Sequence, residues 1–524
     1  MSFRTQSARR TALVFGCSAA AFAVAAAEAY AGNLINGDSL LISTTTYDDT
    51  GTVAGLVAGS SLLPGSKAGQ TSTAVSNGSL NTVWNNDSVD GSFGVTSAIT
   101  ISDLDATTAK TIGGVNIDTS KVVTSFSSKS ELGLNLVNTA SGPVLTFMGY
   151  SVASYVQQHN LSNGLGLLDV SNSDTTAYKD TTNPVTSFFA PAANQTYAFN
   201  RTVVAVSANG AYTTTQTLAY GGNNGRNAVL APNGLYYTVG NSNNGSGTPS
   251  QLTTTTGIEV VTAGATPNST MIAPSNQSVA GDKAGKDNNF RGLTLYHGQL
   301  YFSKGSGSNG IDTVYTVSSP SLPASGEAAA AKFTILPGFP TDHAKTGPDF
   351  TPFGLYFANA HTLYVADEGT GDAVDVAQHA GLEKWSLVGG TWKLDYTLRT
   401  GLIGDPYGVT GWNYEETAIG LRNLTARFDG NGDITFWATT ATSSSSGDNG
   451  ADPNQIVEIT DALAATTLPT NESFAVFDPA KAGLRYGGVA YATPEPSTWA
   501  MIALGFAGLG WAARRGAKAR VSAT

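Results

Sequence analysis

The chain of 524 residues has one cysteine, Cys17, and only 12% charged residues; an average globular domain carries about 25%. Cys17 lies inside an apolar N-terminal run, so everything after that run is free of thiols. This excludes disulfide stapling and thiol catalysis there. Histidine is scarce as well. His159, His297, His343, His361 and His379 show no H-x-H or H-E-x-x-H spacing, so zinc sites of those types have no support. Positive charge is short: 27 Lys and Arg stand against 38 Asp and Glu, a formal charge of −11. Phosphate binding requires a clustered positive face, which argues against a nucleic-acid partner. There is no G-x-S-x-G elbow, and the Gly-rich stretch 305–310 lacks the Lys-Ser/Thr and helix of a phosphate loop. Long amphipathic helices are missing too. The best candidate, Glu327–Lys332 (EAAAAK), spans under two turns, and a short Ala-rich piece at Ile459–Ala465 is similar.

Ser, Thr, Asn and Gly take the place of charge, the composition of an extracellular all-β protein with many tight turns. Runs of β-branched and aromatic residues bounded by Gly, Asn and Asp predict strands. They cover Leu40–Thr45, Val144–Met148, Val203–Ser207, Leu235–Val239, Leu300–Ser303, Leu363–Ala366 and Ile434–Ala438. The second half repeats itself: NAVLAPNGLYYTVG from Asn227, FRGLTLYHGQLYFSKG from Phe290, TPFGLYFANAHTLYVADEG from Thr351 and AIGLRNLTARFDGNGDITFWAT from Ala418. Gly292, Gly354, Gly420 and Gly487 take like positions, and Asn227 lies one period before Gly292. Leu382–Leu387 and Trp392–Leu398 flank Gly389-Gly390, a two-residue hairpin turn that suits strand twist.

Four strands per unit of about 65 residues predict an all-β fold, a β-propeller with long loops. Dividing residues 32–493 by that period gives about seven blades, with six or eight also compatible. RYGGVAYAT near the C-terminus reads as a first strand without partners. NLINGDSLLISTTTY near the N-terminus reads as a second strand whose first is missing. Pairing the two completes one blade from both ends and hides the sheet edges. Residues 71–200 repeat poorly and leave their blades unplaced. The alternative is a right-handed β-helix or a sandwich pair; a β-helix needs periods near twenty residues that are not found. LYVADEGTGDAV from Leu363 is weakly similar to strands of NHL-type propellers.

Both ends carry addresses. Arg4, Arg9 and Arg10 precede an apolar run from Ala12 to Ala27, and Ala29-Tyr30-Ala31 supplies a cleavage site, so residues 1–31 read as a secretory signal peptide. At the other end, Pro494-Glu495-Pro496 leads into an uncharged apolar segment closed by Arg514, Arg515, Lys518 and Arg520. A helix over about 497–513 sits at the lower limit for spanning a bilayer. Trp499 and Trp511 mark its interfaces, and the basic end stays cytoplasmic. The order Pro-Glu-Pro, apolar helix, Arg cluster resembles the PEP-CTERM sorting signal of Gram-negative bacteria. The resemblance implies recognition of Pro494, Glu495 and Pro496 by an exosortase in the inner membrane. Arg514 and Arg515 then act as the stop, the helix is transient, and the protein is released to the cell surface or extracellular matrix. The chain divides into 1–31 signal, 32–493 ectodomain and 494–524 sorting tail, with signal peptidase and exosortase as processing partners.

Two groups inside the ectodomain carry candidate chemistry. Asp429-Gly-Asn431-Gly-Asp433 offers oxygen ligands at alternate positions, as at the start of a calcium loop, but Thr440 stands where an EF-hand needs its bidentate Glu. A hairpin turn explains the same residues. If this loop and the acidic stretch Asp448–Asp452 shared one rim, together they would suit Ca²⁺; no other cofactor is implied. Asp367, Glu368, Asp372, Asp375 and His379 follow a predicted strand end, the residue types of a base and acid pair. Trp84, Trp412, Tyr407 and Tyr414 are expected either to stack on sugars or to pack between blades. No catalytic constellation is complete. The expectation is an exported, surface-sorted propeller with a binding or structural role in an extracellular polysaccharide matrix. The alternatives are a Ca²⁺-assisted hydrolase or lyase, and an inert scaffold.

Overall fold

The computed structural model describes residues 34–46, 96–125, 130–153, 200–221, 223–242, 256–264, 266–272, 282, 286–305, 307–317, 321–346, 349–371, 379–404, 406–412, 415–444 and 452–493. The signal peptide with Ala29 and Ala31, and the tail with Pro494, Glu495, Pro496, Arg514 and Arg515, lie outside them. No helix among the described residues is long and apolar enough to cross a membrane.

Strands β1 (Ser39–Thr46), β2 (Thr96–Asp105) and β3 (Thr111–Asn116) pair in order, and the short β4 (Val122–Ser125) links β2 to the next unit. That second unit is β5 (Asn135–Thr139), β6 (Gly142–Ser151), β7 (Arg201–Ser207) and β8 (Tyr212–Thr217). The third is β9 (Gly225–Leu230), β10 (Leu235–Gly240), β11 (Gly257–Thr262) and β12 (Thr270–Met271). The fourth is β13 (Leu293–Tyr296), β14 (Gln299–Lys304), β15 (Thr313–Val317) and β16 (Phe333–Ile335). The fifth is β17 (Pro352–Asn359), β18 (Thr362–Asp367), β19 (Gly381–Val388) and β20 (Thr391–Leu398). The sixth adds a two-residue edge strand, β21 (Tyr407–Gly408), to β22 (Glu415–Phe428), β23 (Asp433–Ser444), β24 (Gln455–Ala462) and β25 (Ala475–Pro479). The last strand, β26 (Leu484–Ala492), returns to the first unit and pairs antiparallel with β1, Ser39 opposite Ala492 and Thr46 opposite Leu484. All the paired strands are antiparallel, and the arrangement is propeller-like.

The predicted closure by the two ends of the chain is therefore present: β26 completes a blade of order β26-β1-β2-β3. Among the described residues the strands group into six units, the sixth with five strands and the first two joined through β4 into one nine-stranded sheet. β1 pairs directly with β2 across residues 47–95, and β6 with β7 across residues 154–199. Those segments separate neighbouring strands of one blade, which is also why the first half repeats poorly.

Apolar residues gather between neighbouring units rather than in one core. Leu41, Ile99 and Ile101 pack with Phe147 and Val204. Val239 and Ile258 pack with Phe302 and Tyr315; Tyr364 and Leu382 pack with Phe436 and Ile459. Leu40 and Val489 meet Trp437 and Ile456 where the sixth unit meets the first. Strands covered on both faces read as unbroken apolar runs, as β18 does, buried at all six positions. The Ile459–Ala465 piece follows the same logic. Its first four residues belong to strand β24, where Ile459 pairs with Phe436, and the rest form a turn and not a helix. Glu327–Lys332 contributes one 3-10 turn at Ala328–Ala330.

The innermost strands meet around the axis at one register position. Gly133 N–H donates to the Arg226 carbonyl at 3.2 Å. A Cβ at Gly292 would lie 1.8 Å from the Phe353 carbonyl oxygen, and one at Gly354 would lie 2.6 Å from that of Arg422. Asn423 Nδ2 donates to the Gly487 carbonyl at 2.6 Å. Asn423, not Gly420, holds this position in the sixth unit. Irregularities in β22 between Ala418 and Gly420 and between Leu421 and Leu424 shift its register. Gly420 instead faces the carbonyls of Asp367 and Glu368.

A chain ending at residue 483 loses the inner strand of its first blade and is expected to show no cooperative thermal transition. A chain ending at residue 493 keeps the Tm of the parent. Gly292→Val is expected to cost about 3 kcal/mol or more by overpacking against Phe353. Calorimetry of the three chains checks these outcomes.

Candidate functional site

Antiparallel order places every innermost strand with its start at one end of the ring. The connections between second and third strands leave from the same end, here called the mouth. Just before the ring position, three blades carry an arginine: Arg226, Arg291 and Arg422, all buried. Arg226 Nη1 donates to the Phe290 carbonyl at 2.7 Å and to Asn289 Oδ1, and its Nε donates to Asn224 Oδ1 at 3.2 Å. Arg291 Nη1 lies 3.5 Å from Glu368 Oε2, and Arg422 Nε lies 3.2 Å from Glu368 Oε1. Nη1 and Nη2 of Arg422 are buried with no hydrogen-bond partner among the described residues. Leaving buried donors unmade costs about 1–3 kcal/mol each, more for charged groups.

Beside them, Arg201 Nε donates to the Asn223 carbonyl at 2.7 Å, and its guanidinium lies 4.9 Å from the Tyr150 ring centre. Tyr150 and Thr124 donate their hydroxyls to Glu131. Burial, and then the charge of Arg291, both disfavour the charged form of Arg226; Glu131 and Glu368 oppose them. The mouth thus concentrates guanidinium groups in an acidic chain. The sequence signal for it was present: Arg226-Asn227, Arg291-Gly292 and Arg422-Asn423 recur at one and then two periods. Aligning on glycine alone, with Gly420 as the sixth-blade member, hid it.

Of the proposed acid–base group, Asp372 and Asp375 lie outside the described residues. Asp367 is a strand-end anchor: it accepts the Thr351 N–H at 2.8 Å, the Thr351 hydroxyl at 2.5 Å and the Gly369 N–H at 2.9 Å. Burial first, then Glu383, pushes its carboxyl up to about 8. Glu368 points to the arginines instead. His379 Nδ1 is 2.7 Å from Glu383 Oε1, and Glu383 Oε2 accepts the Trp385 indole N–H at 2.8 Å. His297 and His361 occupy first-to-second-strand turns. His297 has a φ of 49° and stacks on Tyr296, while His361 N–H donates to Asn359 Oδ1.

Asp429, Asn431 and Asp433 form the β22–β23 turn, with Gly430 and Gly432 at φ of 76° and 101°. Asp429 accepts from Arg427 Nε at 3.0 Å and from the Thr435 hydroxyl at 2.6 Å, and Asn431 Oδ1 accepts the Asp433 N–H at 3.2 Å. Of the second acidic stretch, Asp448 lies outside the described residues and Asp452 does not share a rim with the turn. Residues 429–433 and Asp452 lie at opposite ends of β23, roughly 35–40 Å apart along an extended strand. Nor is Trp412 an exposed platform: it is buried, and its indole donates to Glu416. Tyr407, half-buried, donates its hydroxyl to the Pro453 carbonyl at 3.2 Å. Trp84 and Tyr414 lie outside the described residues. Between the fifth and sixth blades, Lys384 Nζ sits 2.9 Å from Asp461 Oδ2, and Tyr364 and Tyr396 also donate to that carboxylate. This is a closed interblade clamp.

Residues 492–515 match the model of the PEP-CTERM protein-sorting motif, so the chain carries that motif directly after its closing strand. No curated protein matches the chain. Among solved structures, a chain of the nidogen/laminin complex is similar at 14% identity, covering 76% of this chain and 98% of that one, with a TM-score of 0.34. A Bacteroides fragilis protein named provisionally as a 6-phosphogluconolactonase is similar at 11% identity, covering 77% and 99%, with a TM-score of 0.32. Neither likeness bears on activity.

Burial, and then Asp452, pushes the Glu416 carboxyl up to about 9. Asp367 and Glu416 therefore hold protons in the folded chain that the unfolded chain releases in the ordinary carboxyl range. Their contribution to stability is complete below about pH 4 and is lost as pH rises through about 8 to 9. The Tm is expected to be lower near pH 9.5 than near pH 5, and Glu416→Gln to narrow that difference. A flat profile in the parent chain would show that these carboxyls are not protonated in the fold.

Proposed function

We propose that this protein is an exported, surface-sorted six-bladed propeller with a binding or structural role in the extracellular polysaccharide matrix of a Gram-negative bacterium. The observation that carries the reading is the sorting motif at residues 492–515, joined without a linker to the strand that closes the ring. In this reading a signal peptidase cuts after Ala31 and an exosortase recognises Pro494, Glu495 and Pro496. The apolar segment over about 497–513 holds the chain in the inner membrane until then, with Arg514 and Arg515 as its stop.

Orientation supports a binding role. β26 begins at the arginine mouth and ends at the opposite face, where Asp38 N–H donates to the Ala492 carbonyl and Tyr491 donates its hydroxyl to Asp38. The tail leaves from that face, so a membrane-held propeller presents its mouth away from the bilayer. The Asp429–Asp433 turn lies on the tail side, and any calcium held by Asp429, Asn431 and Asp433 would act there, away from the mouth.

Replacing Pro494, Glu495 and Pro496 together by Ala is expected to shift the protein from the surface and medium into the inner-membrane fraction. Unchanged release would remove the sorting reading. Co-sedimentation of the exported protein with the host's extracellular polysaccharide, run with Ca²⁺ and with EDTA, tests the matrix role. Retention supports it and no retention removes it; a loss of Tm in EDTA supports the Asp429 site, and an unchanged Tm removes it.

A further inference from the structure

The mouth gathers Arg201, Arg226, Arg291 and Arg422 around Glu131 and Glu368, with Asp312 near Arg291 and Glu416 and Asp452 at the same end of the ring, although the chain as a whole has a formal charge of −11. Glu368 is shared between two arginines, one oxygen facing Arg291 Nη1 and the other facing Arg422 Nε. That arrangement fixes the plane of the Arg422 guanidinium and leaves Nη1 and Nη2 without a partner, on a side chain only 1% exposed. Arg226, by contrast, has its Nη1 committed to the Phe290 carbonyl and Asn289. The unused donors are thus localised at Arg422, on an arginine that recurs at one register position around the axis. Two parallel N–H groups in a plane are matched by the two oxygens of a carboxylate.

We propose that Arg422, held by Glu368 opposite Arg291, is the recognition site for a carboxylate group presented at the mouth. The inference deepens the binding reading by naming the chemistry recognised. The carboxylate can come from a free small acid or from a uronate unit of an acidic polysaccharide. A neutral sugar offers no charge to the unpaired donors.

The test is titration calorimetry and thermal unfolding of the full chain with glucuronate, glucose and a polyglucuronate. Glucuronate and glucose differ only at C6, so binding and a raised Tm with glucuronate alone support the site. Equal response to both, or to neither, overturns it. Binding by the monomer and not the polymer assigns a free acid; tighter binding per unit by the polymer assigns an acidic polysaccharide. Arg422→Gln is expected to weaken glucuronate binding by about tenfold or more. Arg422→Lys keeps the charge but not the fork, so full affinity in that variant would overturn the two-point contact. Glu368→Gln removes the competing carboxylate and is expected to tighten binding, an effect that a purely structural role would not produce. If no variant folds, the comparison of the two sugars on the parent chain still decides. These assays use no matrix and no host, so their failure is separable from a failure of sorting.

Discussion

The pairing of β26 with β1 is the constraint on which the ring depends. Without it the first blade lacks its inner strand, and the sixth blade has nothing to close against. The contact continues inward: Ser43 Oγ accepts the Gly488 N–H and donates to the Leu132 carbonyl, both at 2.7 Å. Ser303 does the same between the fourth and fifth blades, accepting the Gly292 N–H at 2.9 Å and donating to the Phe353 carbonyl at 2.6 Å. In each case a short hydroxyl on the second strand links its own first strand to the next blade. The inner strands approach so closely that a Cβ has no room at several of these positions. Buried backbone groups near the axis, out of reach of their own sheet, are satisfied by this relay.

Charge is rare in this chain, and where it is buried it is mostly paired. Lys384 with Asp461, and Lys304 with Asp312, join blade or strand edges with their hydrogen bonds made. Breaking such a pair is expensive because it leaves one ion uncompensated in low dielectric. Glu259, buried with no ionic partner among the described residues, and Arg422, with Nη1 and Nη2 left over, are exceptions, and of the two only Arg422 leaves donors. They occur at the mouth, beside the shared Glu368.

The two faces of the ring differ in what they carry. The mouth holds the arginine cluster and the ends of every inner strand's entry. The opposite face holds the acidic β22–β23 turn, the Arg427–Asp38 ion pair at 3.1 Å and the exit to the sorting motif. In the proposed reading, attachment and recognition are on opposite sides of one set of strands. A protein tethered through one face while presenting the other needs no hinge to do so.

Much of this was written locally in the sequence. The strands over Leu300–Ser303 and Leu363–Ala366, the Gly389-Gly390 hairpin, the repeat and the sorting tail all follow from short-range pattern and turn chemistry. The closure was legible because an unpaired first strand at one end and an unpaired second strand at the other are each incomplete alone. Chain length by itself gives no blade number, since it cannot tell a blade from a connection between two strands that pair directly. The site was not legible either. Burial, the sharing of Glu368, and the register shift that puts Asn423 where Gly420 was expected arise only when the blades meet around one axis. Residues 131, 226, 291, 368 and 422 are distant in the chain, and no local pattern states which side-chain atoms will be left without partners once the ring has closed.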